Sequence, residues 1–145
     1  MSYASENFTE ALGAAARTPS GDLSKEALTH AYSAMEDSVT AALANHRLVV
    51  AVGAFRSKIQ RRRFREIARR ARTPVTSLRI ACPVETAATR VLARRVRGDH
   101  GPTEDIIGQI DRDLANSSDI DLLLYNNTSI DRFHEQVDAL MMTLI

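Results

Sequence analysis

The sequence has few cysteine, aromatic and lysine residues and no long apolar segment. Cys82 is the only cysteine among 145 residues, which excludes an internal disulfide. Aromatic residues make up 5% and tryptophan is absent, so a large base-stacking surface for single-stranded nucleic acid is excluded. No apolar run approaches the roughly 20 residues of a membrane span, and the first residues lack the basic-then-apolar pattern that is typical of a secretion leader. A single cytoplasmic domain without membrane contact is therefore expected.

The net charge of +1 conceals a strong segregation of charge along the chain. Residues 1–46 hold two Lys/Arg and six Asp/Glu, residues 47–97 hold fifteen and two, and residues 98–145 hold two and ten. The three net charges are therefore −4, +13 and −8. Such asymmetry indicates either an anionic ligand or a middle and a tail that neutralise each other within one fold.

The most basic segment, "RSKIQRRRFREIARRAR" at 56–72, contains nine of the nineteen Lys and Arg residues. Phe64, Ile67, Ala68 and Ala71 form an apolar stripe, so the segment is predicted to be an amphipathic helix. We expect its arginines mostly to face water or to pair with the acidic C-terminal third. Two alternatives stay open: binding of nucleic acid or another polyanion, and binding of an acidic protein.

Strands and helices are expected to alternate in the order α-β-α-β-α-α-β-α. Predicted strands lie at 48–55, 75–82 and 120–126, and the first, "LVVAVGAF", is apolar enough to be covered on both faces of a parallel sheet. Residues 1–21 are small and polar, with a short helix at 8–16, and are expected to form a loosely ordered N-terminal segment. Residues 22–145 are expected to form one α/β domain.

Ligands of open α/β sheets bind beyond the carboxyl ends of the strands. Three stretches are expected there: 53–56, 82–85 and 126–129. The histidines lack metal-ligand spacing, and the acidic pairs lack the Gly and Glu of a calcium loop. Cys82 is expected to be a core thiol, and no metal site is expected.

The ordered set of short motifs resembles the second half of the P-loop kinases that phosphorylate nucleotides or other small molecules, including the zeta-toxin-like and nucleoside monophosphate kinase-like proteins. It comprises an apolar strand followed by "FR", a basic helix with "RRRFREIA", a strand ending in "ACP", a helix with "RVLARR", a broken polar segment, and a strand ending in "YNN". The resemblance covers about residues 24–145. It implies a three-layer α/β sandwich with a mostly parallel sheet.

The resemblance also implies candidate nucleotide- and phosphate-binding residues. Arg90, Arg94 and Arg95 match lid arginines that clamp the transferred phosphoryl group, residues 97–103 match the flexible turn of the lid, and Asn126, Asn127 and Thr128 match the loop along the adenine. The spacing itself places Arg90, Arg94 and Arg97 on one helix face, where guanidinium groups suit bidentate phosphate contact. A surface ladder of ion pairs is the alternative.

Two departures from the family concern catalysis. The Gly-rich loop ending in Gly-Lys-Ser/Thr has no match, since the only lysines are Lys25 and Lys58 and neither follows a glycine. The family's metal-organising aspartate corresponds to Val52, which cannot bind a metal or accept a proton. No catalytic residue is therefore assigned.

The family's first strand, phosphate loop and first helix are also unmatched, so a reduced P-loop NTPase-like fold is expected. In that family the first strand lies between the strands that correspond here to 48–55 and 75–82. Either these two strands pair directly, or a second chain inserts a strand, or the missing portion is supplied elsewhere.

The sequence thus predicts a degenerate kinase-like protein, a pseudoenzyme that has no phosphotransfer activity by itself. It is expected to bind an anion or nucleotide, or to interact with a protein as a homo-oligomer or with another partner. The alternatives are a kinase subunit whose phosphate loop comes from elsewhere, with ATP and magnesium as cofactors only in that case, and polyanion binding through 56–72.

Overall fold

The computed structural model describes residues 2–4, 24–98 and 101–144. In chain order its elements are β1 (Ser2–Ala4), α1 (Lys25–Leu43), β2 (Val50–Val52), α2 (Lys58–Arg70), β3 (Leu78–Ala81), α3 (Val84–Val96), α4 (Glu104–Ala115), β4 (Leu122–Tyr125) and α5 (Ile130–Leu144). The α/β class and the predicted order of elements from α1 to α5 are confirmed. Strand β1 was not anticipated by the sequence, and the helix expected at 8–16 lies outside the described residues.

Helix α1 forms because an apolar stripe coincides with a clear start signal. Ser24 precedes it in extended conformation and its Oγ accepts a hydrogen bond from Ala27 N at 3.2 Å, which satisfies one of the free N–H groups at the helix start. The predicted stripe lies inward, with every member buried or half-buried. It comprises Leu28, Ala31, Tyr32, Met35, Val39, Ala42 and Leu43.

Helix α2 begins with a capping box. The Oγ of Ser57 accepts a hydrogen bond from the helix start, and the side chain of Gln60 accepts one from Ser57 N at 3.3 Å, so two otherwise free donors are satisfied together. The helix ends at Arg70 and the chain then turns at Arg72, whose φ is +53°. Pro74 follows, as expected for a residue that cannot continue a helix.

The described strands form two separate parallel sheets of two strands each. In one sheet β1 pairs with β2, with Tyr3 opposite Ala51. In the other, β3 pairs with β4, with Ile80 opposite Leu124. Because β2 and β3 belong to different sheets, direct pairing of these two strands, one of the three expected outcomes, does not occur.

The main core lies between α1, α2 and β2. Tyr32, Met35, Val39 and Phe64 are buried together, with Val49 and Ala51 of the β2 segment packed against them. The rings of Tyr32, Phe55 and Phe64 pack edge to face, with centroids 4.9–6.4 Å apart. Such ring geometry adds stabilisation beyond the buried area.

The prediction that the strand at 48–55 is covered on both faces is wrong. Val52 is 50% exposed and Val50 is 41% exposed, because α1 and α2 cover only the face that carries Val49 and Ala51. On the described part of the chain no element covers the opposite face closely enough to bury these valines.

The C-terminal elements are less buried. The spacing of apolar residues also predicts an inward face for α3 (Val84, Ala88, Val91 and Leu92) and for α5 (Ile130, Phe133, Val137, Leu140, Met141 and Leu144). Val91 is buried, but Leu92 is 63% exposed. No residue of α5 is fully buried, and Ile130 and Leu144 are 66% and 45% exposed, so the prediction is wrong at both ends of that helix. None of the helices described is long and apolar enough to cross a membrane.

Candidate functional site

The segment that follows β2 is fixed by hydrogen bonds to side chains of α1 and α2. Phe55 has a φ of +42°, a conformation that a bulky residue adopts only when its surroundings impose it. Its N–H donates to the Tyr32 hydroxyl at 2.9 Å, and its carbonyl accepts from Arg61 Nη1 at 2.6 Å. Burial raises the pKa of Tyr32, and the hydrogen bond from Phe55 acts in the opposite direction.

Arg61 is the central residue of this network and is only 7% exposed. Its Nε lies 2.9 and 3.0 Å from the two carboxylate oxygens of Asp119, its Nη2 donates to Ser117 Oγ at 2.9 Å, and its Nη1 also reaches the carbonyl of Arg56 at 3.0 Å. The Arg61 guanidinium lowers the pKa of Asp119. A buried arginine that satisfies its donors in this way acts as a structural tie.

Most of the basic segment 56–72 is paired with carboxylates. Beyond Arg61, ion pairs form between Arg56 and Asp113, Arg63 and Glu36, Arg65 and Asp121, and between Glu66 and both Arg69 and Arg70. The two hydrogen-bonded arginines lower the pKa of Glu66 to about 2.

The prediction that these cations face water or pair with the acidic C-terminal third is confirmed. Six of the nine are exposed, and the other three, Arg56, Arg61 and Arg65, pair with Asp113, Asp119 and Asp121. The side chains of Lys58, Arg62 and Arg72 make no hydrogen bond or ion pair within the described ranges. These three unpaired cations leave only a small positive surface for a polyanion. The affinity for a polyanion grows with the number of phosphates that the protein neutralises, because each one releases counterions.

A second candidate site lies where α3 meets the end of β4. Arg90 Nη1 donates to the carbonyl of Asn126 at 2.9 Å, and Asn126 N donates to the carbonyl of Ala81 at 2.7 Å. The structure therefore joins one predicted lid arginine to the predicted adenine loop. Asn127, the next residue of that loop, is exposed.

The other predicted phosphate-binding arginines are close to the end of α3. Arg94 and Arg95 occupy its last turn and Arg97 follows it, and all three are exposed. Unlike Arg69 and Arg70 at the end of α2, they have no ion-pair partner in the part of the chain that the structure describes. Arg95 also lines a groove of about 320 Å³ between α3 and α4, together with Glu85, Thr89 and Glu104.

The turn between α3 and α4 requires its two glycines. Gly98 has a φ of +95°, which favours glycine. A Cβ on Gly101 would lie 2.7 Å from Val91 Cγ1, so a side chain there would displace a buried neighbour. Thr103 immediately precedes α4 and its side chain makes no capping hydrogen bond. Residues 99 and 100 lie outside the described part.

The three stretches expected at one ligand-binding edge do not meet there. Residues 53–56 lie beside the segment that precedes β4, since Arg61 binds both Phe55 and Asp119. Asn126, by contrast, follows β4, a strand of four residues and therefore about 13 Å long. Arg61 thus joins the residues after β2 to the segment before β4, whereas Asn126 lies beyond the other end of β4, and the site splits into two.

The residues near the end of β2 do not fit a magnesium ion. Val52 offers only hydrocarbon, and the nearby carboxylates of Asp113 and Asp119 are paired with arginines. Among the described residues, no group of three metal-ligating side chains occurs. Cys82 is a half-buried free thiol.

Arg61 and Tyr32 were not among the residues that the sequence predicts for a functional site. Both lie on the apolar side of their helices, Arg61 three residues before Phe64 and Tyr32 within the stripe of α1. The arginine on an inward-facing helical position was the available signal, because a charged residue there must find partners.

Comparison with known proteins places this architecture in a family. Residues 5–114 match a family model described as an AAA domain. The chain belongs to this family. Because the AAA-domain match covers more than half of the sequence, it also supports the P-loop kinase superfamily suggested by the motifs. Neither the curated proteins nor the solved structures yielded a match to this AAA-domain chain.

Proposed function

We propose that this P-loop kinase-like protein performs no phosphotransfer by itself and acts as an anion- or nucleotide-binding and protein-interaction module. The observation that carries the proposal is the end of β2. There, the carbonyls of Phe55 and Arg56 are bound by Arg61. By the resemblance, Val52 corresponds to the carboxylate position of the family.

Phosphoryl transfer depends on positioned cations and metal ions, which neutralise the charge that develops on the transferred group. Near the end of β2, the described residues provide neither a free metal-binding carboxylate nor a lysine that follows a glycine-rich loop. The nearest carboxylates neutralise arginines, and Lys58 at the start of α2 is exposed and follows no glycine-rich loop. Without a magnesium-binding carboxylate, a bound nucleotide would be held without being activated.

The binding role rests on the last turn of α3. Two adjacent arginines there have no carboxylate partner on the described residues, and a third follows at Arg97. Arg90 is fixed beside the Asn126 loop. An anion at this position would meet several guanidinium groups, which suit phosphate because each presents parallel N–H donors.

Isothermal titration calorimetry with ATP and with inorganic triphosphate tests the binding role. We expect Arg94→Gln/Arg95→Gln to weaken ATP binding at least about tenfold, because a hydrogen bond to a charged group contributes about 1.5–3 kcal/mol. Arg69→Gln/Arg70→Gln is the matched control: it removes the same charge from the last turn of a helix that is also 13 residues long. Equal loss in both variants, or no binding by the parent protein, contradicts the proposal.

Phosphotransfer is tested separately by release of phosphate from ATP in the presence of magnesium. We expect no turnover by the protein alone above a buffer blank. Restoring the carboxylate with Val52→Asp is expected to leave activity absent, since the phosphate-binding loop has no match in the sequence. Turnover by the parent protein would overturn the noncatalytic assignment.

A second candidate function is that of a kinase subunit whose phosphate loop is supplied by another polypeptide. The separation of β1–β2 from β3–β4 favours it, because the family's first strand lies between the strands that correspond to β2 and β3. Mixing the protein with a polypeptide that carries a strand followed by Gly-Lys-Ser/Thr would then create magnesium-dependent turnover. No turnover in such mixtures counts against this alternative.

A further inference from the structure

The loop that follows β4, residues 126–129, is anchored at both ends. At its first residue, Asn126 N donates to the carbonyl of Ala81 at the end of β3 at 2.7 Å, and the Asn126 carbonyl accepts from Arg90 Nη1 at 2.9 Å. At its last residue, Ser129 Oγ accepts a hydrogen bond from the first turn of α5 at 3.4 Å. The position of the loop is therefore set by β3, α3 and α5 together.

Between these anchors the side chain of Asn127 is exposed. It makes no hydrogen bond to any residue that the structure describes. A side-chain amide offers both donors and an acceptor, and a group on an anchored loop loses less freedom when a ligand binds. Asn127 therefore suits the polar groups of an organic molecule, whereas it adds no positive charge for a phosphate.

The 126–129 loop lies on the same side of α3 as the arginines proposed to bind phosphate. Arg90 reaches the loop from α3, and Arg94 and Arg97 follow it at i+4 and i+7, which places them on the same helix face. A rise of about 1.5 Å per residue sets them about 6 and 10 Å beyond Arg90 along the helix. A ligand that contacts both the loop and these arginines is therefore extended, with an organic group beyond its phosphates.

We propose that Arg90 is a positioning residue that fixes the 126–129 loop beside the phosphate-binding arginines, and not a phosphate ligand itself. Its Nη1 is occupied by a carbonyl of the loop, which departs from the clamp on the transferred phosphoryl group that the resemblance implies. The ligand is then a phosphorylated organic molecule such as a nucleoside triphosphate. Its phosphates lie at Arg94 and Arg97 and its organic part at Asn127. This inference rests on the anion-binding role proposed above for α3.

Isothermal titration calorimetry with ATP and with inorganic triphosphate tests the role of Arg90. We expect Arg90→Gln to lower the affinity for ATP about two- to tenfold more than the affinity for triphosphate, because one lost hydrogen bond releases the loop. Arg97→Gln is the matched control, since it removes the same charge from the same face of α3, and it should weaken both ligands by the same factor. General damage to α3 would also weaken both ligands alike.

Two further variants separate the hydrogen bond from the charge. Asn127→Ala removes the exposed amide and no charge, so it should weaken ATP binding more than triphosphate binding. Arg90→Lys keeps the charge and a donor for the carbonyl of Asn126. It should restore most of the ATP affinity that Arg90→Gln loses, because the contact uses a single N–H and not the two parallel donors that only arginine offers.

The outcomes distinguish this inference from the proposed function. If Arg90→Gln weakens ATP and triphosphate equally, as Arg97→Gln does, Arg90 is a phosphate ligand and the inference is overturned. If neither Arg90→Gln nor Asn127→Ala changes the ratio of the two affinities, the loop takes no part in binding. The inference then fails while anion binding by α3 stands. Absence of binding of either ligand by the parent protein overturns the proposed function and this inference together.

Discussion

The two halves of the molecule are stabilised by different means. Residues 24–72 contain nearly all the buried side chains, including Met35, which is 0% exposed, and the Tyr32–Phe64 cluster. Residues 73–144 contain one buried apolar side chain among those described, Val91, together with two buried glycines. The first half is held by a packed core, and the second half has no comparable one.

Polar ties from helix α2 and the residue Arg56 just before it connect the halves. Arg56 pairs with Asp113 of α4. Arg61 and Arg65 pair with Asp119 and Asp121, which both lie just before β4. The segregation of charge along the sequence is therefore used inside the fold, where the basic middle holds the acidic tail. The basic helix α2 therefore chiefly holds the C-terminal half of the same chain in place.

The largest expected effect is a loss of stability when the core of residues 24–72 is disrupted. Met35→Ala should lower the free energy of unfolding by about 2–5 kcal/mol, because it removes a completely buried side chain and leaves a cavity. Met141→Ala on α5 is the matched control, since Met141 is only half-buried. We expect that change to stay below about 1 kcal/mol. Urea unfolding monitored by circular dichroism measures both, and similar losses would show that the halves are equally well packed.

A smaller effect is expected from cutting the main tie between the halves. Asp119→Ala leaves the guanidinium of Arg61 buried without its carboxylate, and removing one partner of a buried pair costs about 3 kcal/mol. Partial exposure of Asp119 places the expected value at or below that figure. Hydrogen exchange should accelerate in β3 and β4 more than in α1.

The control for this change is Glu66→Gln. Glu66 also pairs with two arginines of α2, but the pairs lie on the exposed surface, where water screens them. No measurable change in Tm is expected. If Glu66→Gln and Asp119→Ala destabilise the protein equally, Arg61 is not the tie that the structure indicates.

Helix α1 and the positions of three strands could be predicted from the sequence. The stripe of α1 and its cap at Ser24 follow local rules of helix periodicity and capping, and the structure confirms them. The strands at β2, β3 and β4 were also predicted, because apolar runs bounded by turn residues are local signals. Their parallel pairing follows from the alternation of strands and helices.

The long-range arrangement could not be predicted in the same way. Which carboxylate binds Arg61 depends on how residues 58 positions apart approach in space, and neither spacing nor composition encodes that distance. The single ligand-binding edge was expected from strand order alone. This prediction is wrong because Arg61 ties the residues after β2 to the segment before β4 and not to the residues after it. Strand β1 was missed because three residues, Ser2–Ala4, provide too short a periodic signal.

The smallest expected effect is the pH dependence of the stability that Asp119 contributes through its ion pair with Arg61. The Arg61 guanidinium lowers the pKa of Asp119 in the folded protein, so the carboxylate stabilises the fold above its unfolded pKa of about 3.9. This contribution should disappear as the pH falls through the lower folded value. The stability difference between the parent protein and Asp119→Asn, measured by urea unfolding, should therefore be constant near neutral pH and shrink below about pH 4. A difference that persists unchanged in acid would mean that Asp119 acts through packing and not through its charge.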